Sequence, residues 1–165
     1  MNKLMTETED RCRACGGEVS ARIYEHNQKV GRWKVTDRSG VVPQCNECNE
    51  PQLTLDDLEG YQLRAVKTAM CDGHVEGEVI RYARKALGLT QKELAAILGY
   101  AHETVSRWEN NKEELPRSAS QALIGILMRA IDGEDPQDIL ESVEHPSTRS
   151  PSEAIEVIVP LRRAC

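Results

Sequence analysis

The sequence contains no phenylalanine, and aromatic residues make up only 4% of its 165 positions. A chain with so little aromatic volume is poorly suited to one large core, so we expect small modules held by a metal ion or by short helices. No apolar run approaches the ~18 residues of a membrane span, and the first ten residues lack the apolar stretch of a signal peptide. We therefore expect a cytoplasmic protein without a membrane segment.

The usual patterns of catalytic residues are missing from the sequence. It has no Gly-rich phosphate loop and no Ser/His/Asp arrangement, and its four histidines are scattered. Asp56 and Asp57 are adjacent carboxylates, but their position at a predicted helix start suits the positive end of the helix dipole. We therefore expect no enzymatic activity.

The sequence lacks an excess of positive charge, because 27 acidic residues outnumber 21 basic ones and the formal net charge is −6. The acidity is uneven: residues 132–165 carry 3 basic and 8 acidic residues, whereas residues 76–131 carry 8 basic and 7 acidic residues. Residues 1–75 carry 10 basic and 12 acidic residues. The middle of the chain is therefore the least unfavourable place for a phosphate backbone to approach.

Cysteine is present in an informative pattern, as two C-x-x-C pairs. Cys12 and Cys15 form the first pair, and Cys45 and Cys48 form the second. Two such knuckles present four thiolates to one ion, which is the tetrahedral arrangement that structural zinc prefers. In a reducing cytoplasm these pairs are expected to bind metal rather than each other. The pattern predicts one structural Zn²⁺ per chain.

Other interpretations of these cysteines remain open. The pairs could be redox-active or disulfide-bonded, and His26 or His74 could replace one thiolate at the metal. Cys71 and Cys165 are expected to be spare thiols. Enclosed between the pairs, residues 18–42 have the alternating apolar pattern of short strands, which would bring the second knuckle back to the first.

The second half of the chain carries strong helix signals. Val79, Ala83 and Leu87 form an apolar face, and Gly88 follows it as a helix-ending residue. The segment Thr90–Glu93 has the spacing of a capping box, which predicts a second helix start. Two short helices joined by a Gly-containing turn are typical of a helix-turn-helix.

Further helices are predicted beyond this pair. A third helix is expected over about 102–109, with Val105 and Trp108 on its buried side. Pro116 is a favourable residue at the start of a fourth helix, and a short fifth helix is expected from Asp135. The predicted fold class is therefore α+β: a small zinc ribbon of short β-strands, followed by an all-α helix-turn-helix bundle of about five helices.

These signals divide the chain into four segments. We predict a zinc-ribbon domain with a trailing helix over 1–70 and a linker over 71–77. A helix-turn-helix domain is predicted over 78–144, and an acidic, polar C-terminal tail over 145–165.

Two motifs add a family resemblance. The runs Leu89–Ala95 (LTQKELA) and Thr104–Glu109 (TVSRWE) resemble the XRE, or Cro/CI-type, DNA-binding domain. Placed behind a doubled C-x-x-C ribbon, they make the chain similar to MqsA/YgiT-type antitoxins. The resemblance implies a homodimeric repressor of its own operon that binds double-stranded operator DNA, with a toxin protein as a possible partner. A zinc-ribbon regulator or protein-interaction module without a toxin is the alternative.

The third helix is expected to enter the major groove with its first residues toward the bases. Arg107 is the main candidate for base reading, because its guanidinium matches the two acceptors of guanine. Glu103 stands where similar proteins can carry Asn; a carboxylate accepts from cytosine rather than pairing with adenine. Ala101 lacks a side-chain oxygen and cannot cap this helix. The full set of predicted DNA contacts is Gln91, Lys92, His102, Glu103, Thr104, Ser106, Arg107, Asn110 and Lys112.

Overall fold

The structure, a computed structural model, describes residues 11–145. The predicted C-terminal tail lies outside the described residues apart from its first residue. Within this described range, four short strands precede six helices, which confirms the predicted α+β class. Among residues 11–145, no helix is both long and apolar enough to cross a bilayer.

The N-terminal region consists of two antiparallel strand pairs. The outer strands β1 and β4 pair with each other, with Val19 opposite Cys45, and this pairing returns the second knuckle to the first. The inner strands β2 and β3 form a hairpin, and Gly31 in its turn has a φ of 56°. The strands are β1 Val19–Ile23, β2 His26–Val30, β3 Trp33–Asp37 and β4 Val41–Cys45.

A long helix, α1 Leu55–Cys71, follows the second knuckle. Thr54 caps it: its hydroxyl accepts from the Asp57 backbone N–H, and the Asp57 carboxylate accepts from the Thr54 backbone N–H. Such reciprocal capping satisfies backbone donors that have no partner within the helix. Helix α1 packs against the β2–β3 hairpin on one side and against α2 and α5 on the other.

The predicted bundle of five helices is confirmed. Thr90 and Glu93 form the capping box expected at the start of α3, and Gly88 and Gly99 have left-handed φ values of 69° and 73°. Ala101 makes no side-chain cap, as expected. The helices are α2 Gly77–Ala86, α3 Gln91–Leu98, α4 His102–Glu109, α5 Arg117–Ile131 and α6 Pro136–Glu144.

One continuous apolar core joins the hairpin, α1 and the helical bundle. It extends from Val30, which is fully buried in β2, to Ile139 in α6. The Trp33 ring of β3 stacks on His74, with ring centroids 3.6 Å apart, and its indole N–H donates to Glu76 just before α2. The β2–β3 hairpin is therefore packed directly against the start of the bundle.

Candidate metal centre and nucleic-acid interface

The four cysteines of the two knuckles come together at one end of the β1–β4 pair. The sulfur of Cys15 lies 3.5 Å from those of Cys45 and Cys48, and the sulfurs of Cys12 and Cys48 are 3.6 Å apart. All four sulfurs lie within 4.8 Å of one another. A tetrahedral ion with Zn–S bonds of about 2.3 Å requires sulfur separations of roughly 3.8 Å, so the cluster matches a zinc-sized cation.

Hydrogen-bond donors surround the two buried sulfurs. The Cys12 sulfur accepts from the Ala14 backbone N–H at 3.4 Å and from the Gln52 side-chain amide at 3.5 Å. The Cys45 sulfur accepts from the backbone N–H groups of Glu47 at 3.4 Å and Cys48 at 3.5 Å. These donors favour the thiolate form that binds metal.

Cys45 and Cys15 have pKa values shifted in opposite directions. The backbone N–H groups of Cys48 and Glu47 lower the pKa of Cys45 to about 7. At Cys15 the Gly17 backbone N–H acts in the lowering direction, but hydrogen bonds with the neighbouring sulfurs raise the pKa to about 12. Repulsion among close sulfurs opposes full ionisation, so a bound cation is what would let all four become thiolates.

The histidines considered as alternative ligands are engaged elsewhere. His26 stacks on Tyr61, with ring centroids 4.5 Å apart, and hydrogen-bonds to Gln28, while His74 stacks on Trp33. Cys71 is exposed at the end of α1 and is not part of the cluster. The donor set is therefore four sulfurs.

Helix α4 has one buried side and one exposed side, as its sequence predicts. Val105 and Trp108 are buried in the core, whereas the side chains of Arg107 and Glu103 are 54% and 70% exposed. Of the other predicted DNA contacts, Lys92, Asn110 and Lys112 are exposed, and Gln91, His102, Thr104 and Ser106 are half-buried. Within residues 11–145, the side of α4 that faces away from the core is therefore exposed.

Ion pairs on this side involve a residue that the sequence did not single out. The Arg107 Nε lies 3.4 Å from a carboxylate oxygen of Glu113, in the loop after α4. His102 Nδ1 lies 3.1 Å from the Glu103 carboxylate. The pKa of Glu103 is lowered by its own backbone N–H and by His102.

Behind α4, a buried carboxylate joins three helices. Glu109 is only 3% exposed, and its two oxygens accept from the Arg84 guanidinium at 2.6 and 3.1 Å. One of them also accepts from the Gln91 side-chain amide at 2.8 Å, and Arg81 lies 3.5 Å away. Burial acts to raise the pKa of Glu109, but the Arg84 and Gln91 hydrogen bonds hold it below its usual value. This network fixes α4 relative to α2 and α3.

The network bears on Gln91, one of the predicted phosphate contacts. Its side-chain amide already donates a hydrogen bond to Glu109. The backbone N–H groups at the start of α3 therefore remain as the donors for an anion. A sequence signal for the network does exist. Glu109 follows Val105 by four residues and Arg84 follows Ile80 by four, so each charge falls on the buried side of its helix.

The two asparagines after α4 act as local caps. The Asn110 side chain donates to the Ser106 carbonyl at 2.7 Å and accepts from Arg81 at 3.2 Å. Asn111 adopts a φ of 54° and accepts from the Gly77 backbone N–H at 2.7 Å, at the first residue of α2. Hydrogen bonds therefore hold the loop after α4 to α4 itself and to the first residue of α2. Lys112 in this loop is exposed to solvent.

Comparison with known families identifies the domain that contains α4. Residues 80–132 match a helix-turn-helix family. This stretch is about a third of the chain and includes α3 and α4 entirely. The match indicates a DNA-binding transcription regulator. The search of curated proteins gives no significant match to the sequence.

Proposed function

We propose that the protein is a homodimeric, sequence-specific repressor that reads operator DNA with α4 and holds one structural zinc in its ribbon. The observation that carries this proposal is the exposed side of α4, which lies inside the helix-turn-helix match. Arg107 extends from this side, while Val105 and Trp108 bury the opposite side. A short helix held in this way can lie in the major groove.

Base reading is assigned to Arg107. A bidentate contact from its guanidinium to the N7 and O6 atoms of guanine would contribute about 1–3 kcal/mol of discrimination. The Glu113 contact must be exchanged for this contact on binding, and an exposed ion pair of this kind is worth only about 0–1 kcal/mol. Glu103, two-thirds exposed, would accept a hydrogen bond from cytosine.

Backbone contacts are assigned to the segments that flank the helix-turn-helix. Lys92 lies in the first turn of α3, where free backbone N–H groups also favour an anion. Lys112 projects from the loop after α4. Such contacts set affinity and register but carry no base information.

The zinc is assigned a structural role. Four sulfurs would fill all four positions of a tetrahedral ion, and no position would remain for water or a substrate. Cys12 and Cys15 lie ahead of β1, and Cys45 ends β4, so the ion would link the two ends of the ribbon.

An antitoxin role is the more specific form of the proposal. Its support is the combination of a doubled C-x-x-C ribbon with a helix-turn-helix, which resembles the MqsA/YgiT type. The ribbon also exposes an apolar cross-strand pair, Ile23 opposite Val41, at 73% and 61% exposure. Such a pair suits a protein contact. Co-elution with the product of the neighbouring gene would support an antitoxin; a regulator without a toxin would elute alone.

Selection from a random-sequence duplex library tests the proposed DNA recognition. The parent protein should enrich a pair of half-sites about one helical turn apart. Arg107→Ala should fold normally but lose preference at one base pair of each half-site, while Lys85→Ala, on α2, should select the same duplexes as the parent. No enrichment by the parent, or identical enrichment by Arg107→Ala, would overturn the assignment.

A further inference from the structure

A cluster of positive charge outside the helix-turn-helix lies on and beside the β2–β3 hairpin. Residues 26–38 contain four basic residues and one acidic residue, Asp37. The Asp37 carboxylate is turned inward, where Arg64 donates to it at 2.7 Å. The outer side of the hairpin is therefore almost purely cationic. Its basic residues are Lys29 and Lys34, while Arg32 lies in the turn and Arg38 follows β3.

Two of these cations face each other across the hairpin. Lys29 and Lys34 are direct register partners across the hairpin, and both are exposed. Like charges in directly opposite positions destabilise a strand pair. Within the residues that the structure describes, neither lysine forms an ion pair, whereas Arg32 pairs with Glu76 and Arg38 with Glu25. An anionic partner would relieve this repulsion.

Contacts on the inner side of the hairpin place it beside the predicted DNA surface. Trp33 donates to Glu76 at 3.4 Å, and Arg32 lies 3.5 Å from the same carboxylate. The next residue, Gly77, donates to Asn111 in the loop after α4, and this loop also carries Lys112. Glu76 and Gly77, at the start of α2, thus join the hairpin to the loop after α4.

We propose that the outer side of the β2–β3 hairpin binds the phosphate backbone of DNA that flanks the bases read by α4. The inference rests on the proposed function. Residues 76–131 carry a net charge of only +1, and Glu113 and Glu114 place negative charge in the loop after α4. Lys29 and Lys34 supply the positive charge that this surface lacks, and they extend the footprint along the duplex.

The test uses a duplex selected by the parent protein, in two forms. The long form has about ten flanking base pairs, roughly one helical turn, on each side. The trimmed form contains only the half-sites. Lys29→Ala/Lys34→Ala is compared with Lys85→Ala/Arg129→Ala, which removes the same charge from exposed positions on α2 and α5. On the long duplex, the hairpin variant should bind several-fold more weakly. The slope of log affinity against log salt should fall by about 1–2 relative to the parent. The deficit should be the same for all sequences and should vanish on the trimmed duplex.

Several results would overturn the inference while leaving the proposed function intact. The hairpin variant could match the control variant on the long duplex, or its deficit could persist on the trimmed duplex. It could alter the selected sequence, which would indicate base reading, or it could bind DNA normally and lose an acidic protein partner. Failure of the parent to select any duplex would instead refute the proposed function itself.

Discussion

Removal of the buried Glu109 carboxylate should destabilise the fold more than any change on the exposed side of α4. The carboxylate accepts three hydrogen bonds, from Arg84 and Gln91, and Arg84 is itself only 13% exposed. Glu109→Ala would leave the Arg84 guanidinium buried without a counter-charge, with only its hydrogen bond to the Leu89 carbonyl, at 2.9 Å, remaining. Breaking a buried pair on one side costs about 3–5 kcal/mol. A domain has a total stability of only about 5–15 kcal/mol, so this loss is large.

The assay is urea unfolding at pH 7, followed by helical circular dichroism and by the combined fluorescence of Trp33 and Trp108, of which Trp108 directly precedes Glu109. The midpoint should fall without a change in the denaturant slope. Replacing both partners, as Arg84→Met/Glu109→Leu, should recover much of the stability because no charge is left buried. A loss below about 1 kcal/mol for Glu109→Ala, the range of an exposed ion pair, would refute the reasoning.

The same network predicts a dependence on pH. The pKa of Glu109 is lower in the folded protein than its usual value of 4.5, so the unfolded chain takes up the proton first as pH falls. The stabilising contribution is therefore complete above the usual value and is lost as pH drops through the folded value. Parent and Glu109→Gln should differ most at neutral pH and converge in acid. A difference in unfolding free energy that stays constant from pH 7 to 3 would contradict this.

Three further predictions follow from other contacts. Metal analysis should find about one zinc per chain, with thiols protected from alkylation. Chelation or Cys45→Ser should release the ion. Thiols that react freely in the purified protein would instead favour a redox role. Glu113→Gln should tighten DNA binding up to about fivefold, because it frees Arg107 and removes a charge that repels phosphate; weaker binding in a titration would show that Glu113 positions Arg107 instead. Gly77→Ala should lower the unfolding free energy by about 1–3 kcal/mol, because a Cβ there would lie 2.6 Å from the Trp108 carbonyl oxygen. An unchanged midpoint in urea would contradict that close approach.

Local features of this fold could be predicted from the sequence because each depends on residues a few positions apart. The capping box at Thr90, the left-handed Gly88 and Gly99, and the limits of α4 all follow from short-range hydrogen bonding and periodicity. The four-sulfur cluster joins knuckles 30 residues apart, yet it could be predicted because each knuckle is a local turn and one tetrahedral ion requires both pairs.

Long-range contacts without such a chemical requirement were not predicted. The Glu109–Arg84 pair joins residues 25 positions apart, and the Trp33–His74 stack joins residues 41 positions apart. The sequence pattern can place a charged or aromatic residue on the inner side of an element, but it does not show which distant residue will contact it. For the same reason, the sequence suggested a phosphate contact for Gln91 without showing that its amide nitrogen is held by Glu109.

The most direct test of the account replaces single guanines of the selected duplex with 7-deazaguanine, which lacks the N7 acceptor. If Arg107 reads guanine, one such replacement per half-site should weaken the parent by roughly tenfold, as expected for a lost hydrogen bond to a charged group. The Arg107→Ala variant should bind the normal and modified duplexes equally well. If parent and variant lose the same affinity at that position, or neither loses any, Arg107 does not read guanine N7 and the central claim is wrong.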